Sequence, residues 1–181
     1  MPGRQTSRWR ADRKRAIVSS PCASGWSRRI RQREWIGQSV LARSPRMDLS
    51  ILGDEAGLLA PAALCEHAVA TGDSVWAAGM PGIGPGVAVG RVEIPDAILP
   101  RFGRGFTARM PALMGYSGGP VVGADGRLQG LVSALPESGG AGALALLSGM
   151  DLGGLAGGRD RRVFVLSIRG VMEEAGRLGL A

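Results

Sequence analysis

The chain has 181 residues, among them 30 Gly and 11 Pro, with 45% hydrophobic residues and a net charge of +7 at pH 7. That length holds one domain with a core, or one domain and a tail, but hardly two complete domains, and so much Gly and Pro favours turns and short elements over long helices. Two cysteines, Cys22 and Cys65, and one histidine, His67, make neither a disulfide framework nor a metal-ligand cluster, so no metal and no cofactor is expected. No run of about 18 apolar residues is present, and the arginine-dotted first 30 residues lack the apolar core of a signal peptide, so neither a membrane span nor an export signal is expected.

The charge is uneven. Residues 1–46 hold 12 Lys+Arg against Asp12 and Glu34, whereas residues 47–181 hold 10 basic against 13 acidic side chains. The basic stretch shows no sustained period of 2 or 3.6 and scatters Trp9, Trp26 and Trp35 among its arginines, so it reads as a tail preceding a domain at 47–181. Three readings of it stand: an arginine-rich arm for nucleic acid or acidic lipid, a disordered tail, or a stretch translated in the wrong frame, the latter two preferred.

From Met47 onward short apolar runs alternate with turn signals. "MDLSILG" (47–53) predicts a strand, and "LLAPAALCEHAVATGD" a loop closing on Gly72-Asp73. "SVWAAGMP" predicts a buried strand, "VAVGRVEI" (87–94) another, and "GFTARM" (105–110) a further one. "PVVGADGRLQGLVSAL" predicts a hairpin turning at 123–126. Residues 135–160 read as a long Gly-rich loop and "VFVLSI" (163–168) as a last strand. Ile168, Val171, Met172, Ala175 and Leu178 make one apolar stripe at helical spacing, so the chain closes on a short helix. Many short strands with a terminal helix predict an all-β barrel or sandwich.

"MGYSGGPVV" (114–122) carries the chemistry. Gly115-Tyr116-Ser117-Gly118-Gly119 fits the loose pattern of a nucleophile elbow, but an elbow opens a helix and needs a histidine later in the chain. Here a strand follows, and no histidine lies beyond Ser117. The longer string G-x-S-G-G-P is more specific: chance would place it in roughly 0.4% of chains of this composition. It resembles the active-site segment of trypsin-like serine peptidases, and its surroundings resemble the bacterial HtrA-like branch. "DLSIL" (48–52) is similar to the strand that carries the family's acid, "GDSVWAAGMPGIGPGVAVGRV" to a downstream stretch, "GADGRLQGLVSA" to the hairpin after the serine, and "VFVLSIRGVMEEAGRLGL" to the closing strand and helix.

The resemblance covers about residues 47–181 and implies a trypsin-like double β-barrel, its first barrel incomplete here, with the site in the cleft between barrels. It implies Ser117 as nucleophile, Asp48 as the acid that orients the base, and the backbone amides of Gly115 and Ser117 as oxyanion donors, acting on a polypeptide substrate or holding a peptide ligand. Two departures accompany it, the missing base and Tyr116. The family's histidine precedes its aspartate in a T-A-x-H segment, yet residues 1–47 contain no histidine. His67 follows Asp48 by 19 residues, where the family has no catalytic group, and reads as a surface or partly buried side chain. Tyr116 stands where digestive members have aspartate and HtrA-like members often asparagine. Pro111 occupies the place of the acid that selects basic side chains, so a small or apolar preference is expected. The chain therefore reads as a serine endopeptidase lacking its base, or as a pseudo-peptidase that keeps the cleft as a peptide-binding module.

Overall fold

The computed structural model describes residues 15–18, 27–30, 34–37, 39–53, 60–81, 84–112, 114–134 and 161–180, the first three stretches by backbone alone. The sequence's expected long loop at 135–160 lies outside them. Eleven strands and one helix follow in order: β1 (Arg15–Val18), β2 (Ser27–Ile30), β3 (Glu34–Gly37), β4 (Val40–Arg43), β5 (Ser50–Gly53), β6 (Ser74–Gly79), β7 (Gly86–Leu99), β8 (Gly103–Met110), β9 (Pro120–Gly123), β10 (Leu128–Ala134), β11 (Arg161–Ser167) and α1 (Ile168–Arg177). Strands β1 to β4 fall within the basic N-terminal stretch.

Strands β6 to β11 close into a six-stranded antiparallel barrel in the order β10-β11-β8-β7-β6-β9, with β9 returning to β10. Alternation explains the inside: Val75 and Ala77 of β6, Ala88 and Val92 of β7, Phe106, Ala108 and Met110 of β8, and Val163 and Val165 of β11 fill the barrel. β11 shows no alternation of burial, because its other face is covered as well. Phe164 and Leu166 point out of the barrel and pack with Met47, Leu49, Leu131, Ile168 and Val171 into a second core. The uninterrupted apolar run "VFVL" is thus a strand buried on two faces.

The first part of the chain forms, among the described residues, the sheet β1-β5-β4 and the hairpin β2-β3 rather than a second closed barrel. β1 runs antiparallel to β5, from Arg15 opposite Gly53 to Val18 opposite Ser50. It therefore exits at the end of β5 that adjoins Asp48. The second core ties this sheet to the barrel wall through Met47 and Leu49.

β7 runs on to Leu99, past the Ile94 at which the sequence pattern ends. Pro95 cannot donate to a ladder, and the pairing of β7 with β8 absorbs it as a register shift between Ile94 and Ala97. On the barrel's outside Glu93 of β7 joins Arg162 of β11 at 2.6 Å and Arg109 of β8 at 2.9 Å, and hydrogen bonds from these two arginines pull its carboxyl down to about 2.

α1 starts at Ser167, whose hydroxyl accepts from the Gly170 amide, and ends with Arg177 in its last turn. Its buried Glu174 ties it to the segment ahead of β5. The Ser44 hydroxyl donates to Glu174 Oε1 at 2.6 Å, and Arg177 Nε donates to Oε2 at 2.7 Å. The Ser44 hydroxyl also accepts from the Arg46 and Met47 amides, fixing the turn before Asp48. The Ser44 bond, helped by Arg177 and opposed by burial, holds the Glu174 carboxyl below the usual range. A depressed carboxyl stabilises the fold above its unfolded value, about 4.3, and the contribution is lost as pH falls through the lower folded value. Glu174→Ala is expected to cost about 1.5–3 kcal/mol at pH 7, the scale of hydrogen bonds to a charged group. Urea unfolding at a series of pH values should show the difference from the parent shrinking below about pH 4.3. A constant difference down to acid would refute the link.

Candidate active site

Ser117 lies exposed in the loop between β8 and β9, and backbone hydrogen bonds hold that loop from two flanks. On one flank the Met80 amide, just beyond β6, donates to the Gly115 carbonyl at 2.9 Å. On the other the Gly118 amide donates to the Val132 carbonyl of β10 at 2.7 Å, and the Val132 amide to the Gly119 carbonyl at 2.9 Å. The Gly119 amide closes a tight turn onto the Tyr116 carbonyl at 2.8 Å. The β8–β9 connection thus becomes a fixed shelf, with β9 between the two flanking strands.

Gly115 sets the direction of the shelf. Its φ is +102°, a conformation L side chains rarely adopt, and a Cβ there would stand 2.8 Å from Pro81 Cα. Among the described residues neither the Gly115 nor the Ser117 amide donates to a backbone carbonyl. Two N–H donors in one exposed loop beside a hydroxyl are what an oxyanion of acyl transfer needs.

Tyr116 is buried in the barrel core with 5% exposure. It fits because β6 ends in Gly79: a Cβ on Gly79 would stand 2.7 Å from the tyrosine ring. Where an aspartate or asparagine was the family expectation, this loop is anchored by an aromatic ring instead.

Asp48 is tied to the strand that brackets the serine loop. Its amide donates to the Phe102 carbonyl at 3.0 Å, and its Oδ2 accepts from the Ser133 hydroxyl at 2.7 Å. Ser133 directly follows Val132, the residue that brackets Gly118 and Gly119. One strand, β10, therefore carries both the contact to Asp48 and the bracket on the serine loop. Among the described residues the Ser117 hydroxyl has no hydrogen-bond partner.

His67 does not supply one. It is exposed, in a segment fastened to the opposite end of β10 by Cys65 N to Leu128 O at 3.0 Å and Leu128 N to Ala63 O at 2.8 Å. Four residues of extended strand, about 13 Å, separate Leu128 from Val132. Residues 1–47 contain no histidine. No group of three or more His, Cys, Asp or Glu able to hold a metal ion occurs among the described residues.

Ser133 was missed from the sequence. Its signal was available: a lone hydroxyl in the apolar strand "LVSAL" must find a partner if buried, and its exposure is 5%.

The backbone arrangement has counterparts of known structure. The Rv3671c protease of M. tuberculosis in its inactive form superposes with a TM-score of 0.65 at 16% identity, over 91% of this chain and 79% of that one. The fold is that of the trypsin-like serine proteases. The HtrA-type protease AlgW with a decapeptide matches this trypsin-like fold with a TM-score of 0.63 at 20% identity, over 87% of this chain and 46% of AlgW. The apo MamO protease domain of Magnetospirillum magneticum gives 0.59 at 20% identity, over 89% of this chain and 82% of that domain. The chain thus spans about half of AlgW. No protein-family model and no curated protein matches the sequence. No described helix is long and apolar enough to cross a membrane.

Proposed function

We propose that the Ser117 loop is the reaction centre of a serine-peptidase-type domain that receives a polypeptide. Ser117 Oγ is the nucleophile, the Gly115 and Ser117 amides stabilise the oxyanion, and Asp48, held by Ser133, is the orienting acid. The observation that carries this reading is the exposed hydroxyl flanked by two backbone donors on a shelf whose shape depends on the positive φ of Gly115. Attack on a peptide carbonyl forms the Oγ–C bond while the carbonyl π pair moves onto oxygen and the hydroxyl proton leaves, and with no histidine hydrogen-bonded to Ser117 that proton passes to water. Removing the histidine of a complete triad costs on the order of 10⁶ in kcat, so peptide hydrolysis by this chain is expected to be slower than that of a complete triad by a factor of that order.

A fluorophosphonate probe tests the nucleophile apart from turnover. A P–O bond forms at Ser117, fluoride leaves and the proton goes to solvent. Slow labelling is expected, and Ser117→Ala should abolish it. Labelling retained in that variant would remove Ser117 from the role.

A second reading, a pseudo-peptidase that binds polypeptide and leaves it intact, is favoured by the absence of any histidine ahead of Asp48. Two AlgW structures contain bound peptides, a decapeptide and a tripeptide; by analogy the cleft of this chain is a peptide site in either reading. Failure of the folded protein to label at all would select this second reading.

A further inference from the structure

The barrel wall beside the serine loop carries an apolar outer face. β6 alternates, with Val75 and Ala77 in the core and Trp76 and Ala78 outside, and Met80 continues the outer row at 64% exposure. β7 lies alongside with Val87 and Val89 outside at 63% and 52% exposure, paired opposite Ala78 and Trp76. Trp76 is also paired with Val122 of β9, so Val89, Trp76 and Val122 form a row across three strands. None of these positions carries a charge. Among the described residues, Arg91 of β7, paired opposite Arg109 of β8, stands at the far end of the face. An apolar face with a charged border is the anatomy of an interaction surface rather than of scattered surface residues.

Continuity with the serine loop identifies what covers it. Met80, the most exposed member of the face, is the residue whose amide holds the Gly115 carbonyl, and β9 leaves the loop directly into the same wall. The face therefore begins at the oxyanion donors, on the flank away from Val132, Ser133 and Asp48. Outer positions two residues apart on β6 are about 6.7 Å apart, so Met80 to Trp76 spans about 13 Å, four residues of an extended peptide. We infer that the Met80–Val87–Val89–Trp76 face is an extension of the polypeptide site, binding apolar side chains of a chain seated on the Ser117 loop. This rests on the reading of that loop as a polypeptide site and places the contacts for apolar side chains of that polypeptide on the outer wall of β6 and β7, within a few residues of the bond placed at Ser117.

The test uses the full chain carrying Ser117→Ala, so that binding is read without cleavage, with fluorescein-labelled casein as an unfolded polypeptide probe and anisotropy as the readout. Met80→Gln with Val87→Gln changes two exposed side chains without adding charge and is expected to weaken binding at least about tenfold, while Met80→Leu retains it. A parallel variant with Trp at position 117, Ser117→Trp, obstructs the loop itself and is expected to weaken casein binding too. Loss with Ser117→Trp but none with the Gln pair leaves the polypeptide site standing and overturns the apolar extension. Loss with the Gln pair but none with Ser117→Trp means that the face binds independently of the loop, which also overturns it. No binding by the parent, or no loss in either variant, overturns both readings. Sedimentation of the parent and the Gln pair covers the competing occupant: a dimer that the Gln pair converts to monomer, with casein binding unchanged, assigns the face to a second copy and overturns the proposal.

Discussion

Phe164→Ala is expected to lower the unfolding free energy by about 3–5 kcal/mol, the usual cost of truncating a fully buried phenylalanine. Phe164 is 1% exposed on the outer face of β11, where it contributes to the core shared by Met47 and Leu49 of the first sheet, Leu131 of β10, and Ile168 and Val171 of α1. Three structural units lose one common neighbour, and no single one of them can close the cavity by moving alone. Urea unfolding followed by circular dichroism should show a lower midpoint with an unchanged slope. Met47 and Leu49 bracket Asp48, so limited proteolysis should also cut first near residues 44–53 in the variant. A cost below about 1 kcal/mol would mean that the first sheet and the barrel do not share this core in solution.

Gly115→Ala is expected to strike the reaction centre harder than the fold. An alanine forced to a φ of +102° costs about 1–3 kcal/mol, and its Cβ would press on the Met80 carbonyl and Pro81 Cα. The loop escapes by turning the Gly115 peptide, which withdraws one of the two proposed oxyanion donors. Loss of such a donor costs about 2.7–4 kcal/mol in the barrier. The rate constant for fluorophosphonate labelling of Ser117 should then fall by about 10²–10³, while thermal unfolding shifts only modestly. An unchanged labelling rate would remove the Gly115 amide from the proposed oxyanion hole.

How far the fold could be read from the chain depended on how local its causes are. The β9–β10 hairpin and the helix were legible because a turn and an apolar stripe are written within a dozen residues. β7 was cut short at Ile94 because Pro95 looks like a stop, and only its pairing with β8 shows that the ladder shifts register around it. β1 to β4 carried no readable signal: each is four residues long, too short to display a period, and β1 finds its partner in β5, more than thirty residues away. The same distinction governs the site. Ser117 and Gly115 belong to one short motif, whereas Ser133 and the Ser44–Glu174 tie depend on residues 85 and 130 positions apart. Tyr116 looked out of place in the motif because the glycine that admits its ring, Gly79, lies at the end of another strand.

The closed ring of β6 to β11 gives Ser117 and Asp48 unequal footing. Every strand of the ring has a neighbour on each side, so none can peel away without breaking two ladders. The serine loop hangs from that ring at Met80 and Val132. Asp48 hangs from a three-stranded sheet that reaches the ring through Met47 and Leu49, through Ser133, and through the Ser44 tie to the helix. Local opening should therefore release Asp48 at a lower free energy than it releases Ser117, and amides of β5 should exchange with solvent before those of β8 and β11. Partial unfolding would leave the Ser117 hydroxyl and the Gly115 amide held on a rigid loop while Asp48 swings free.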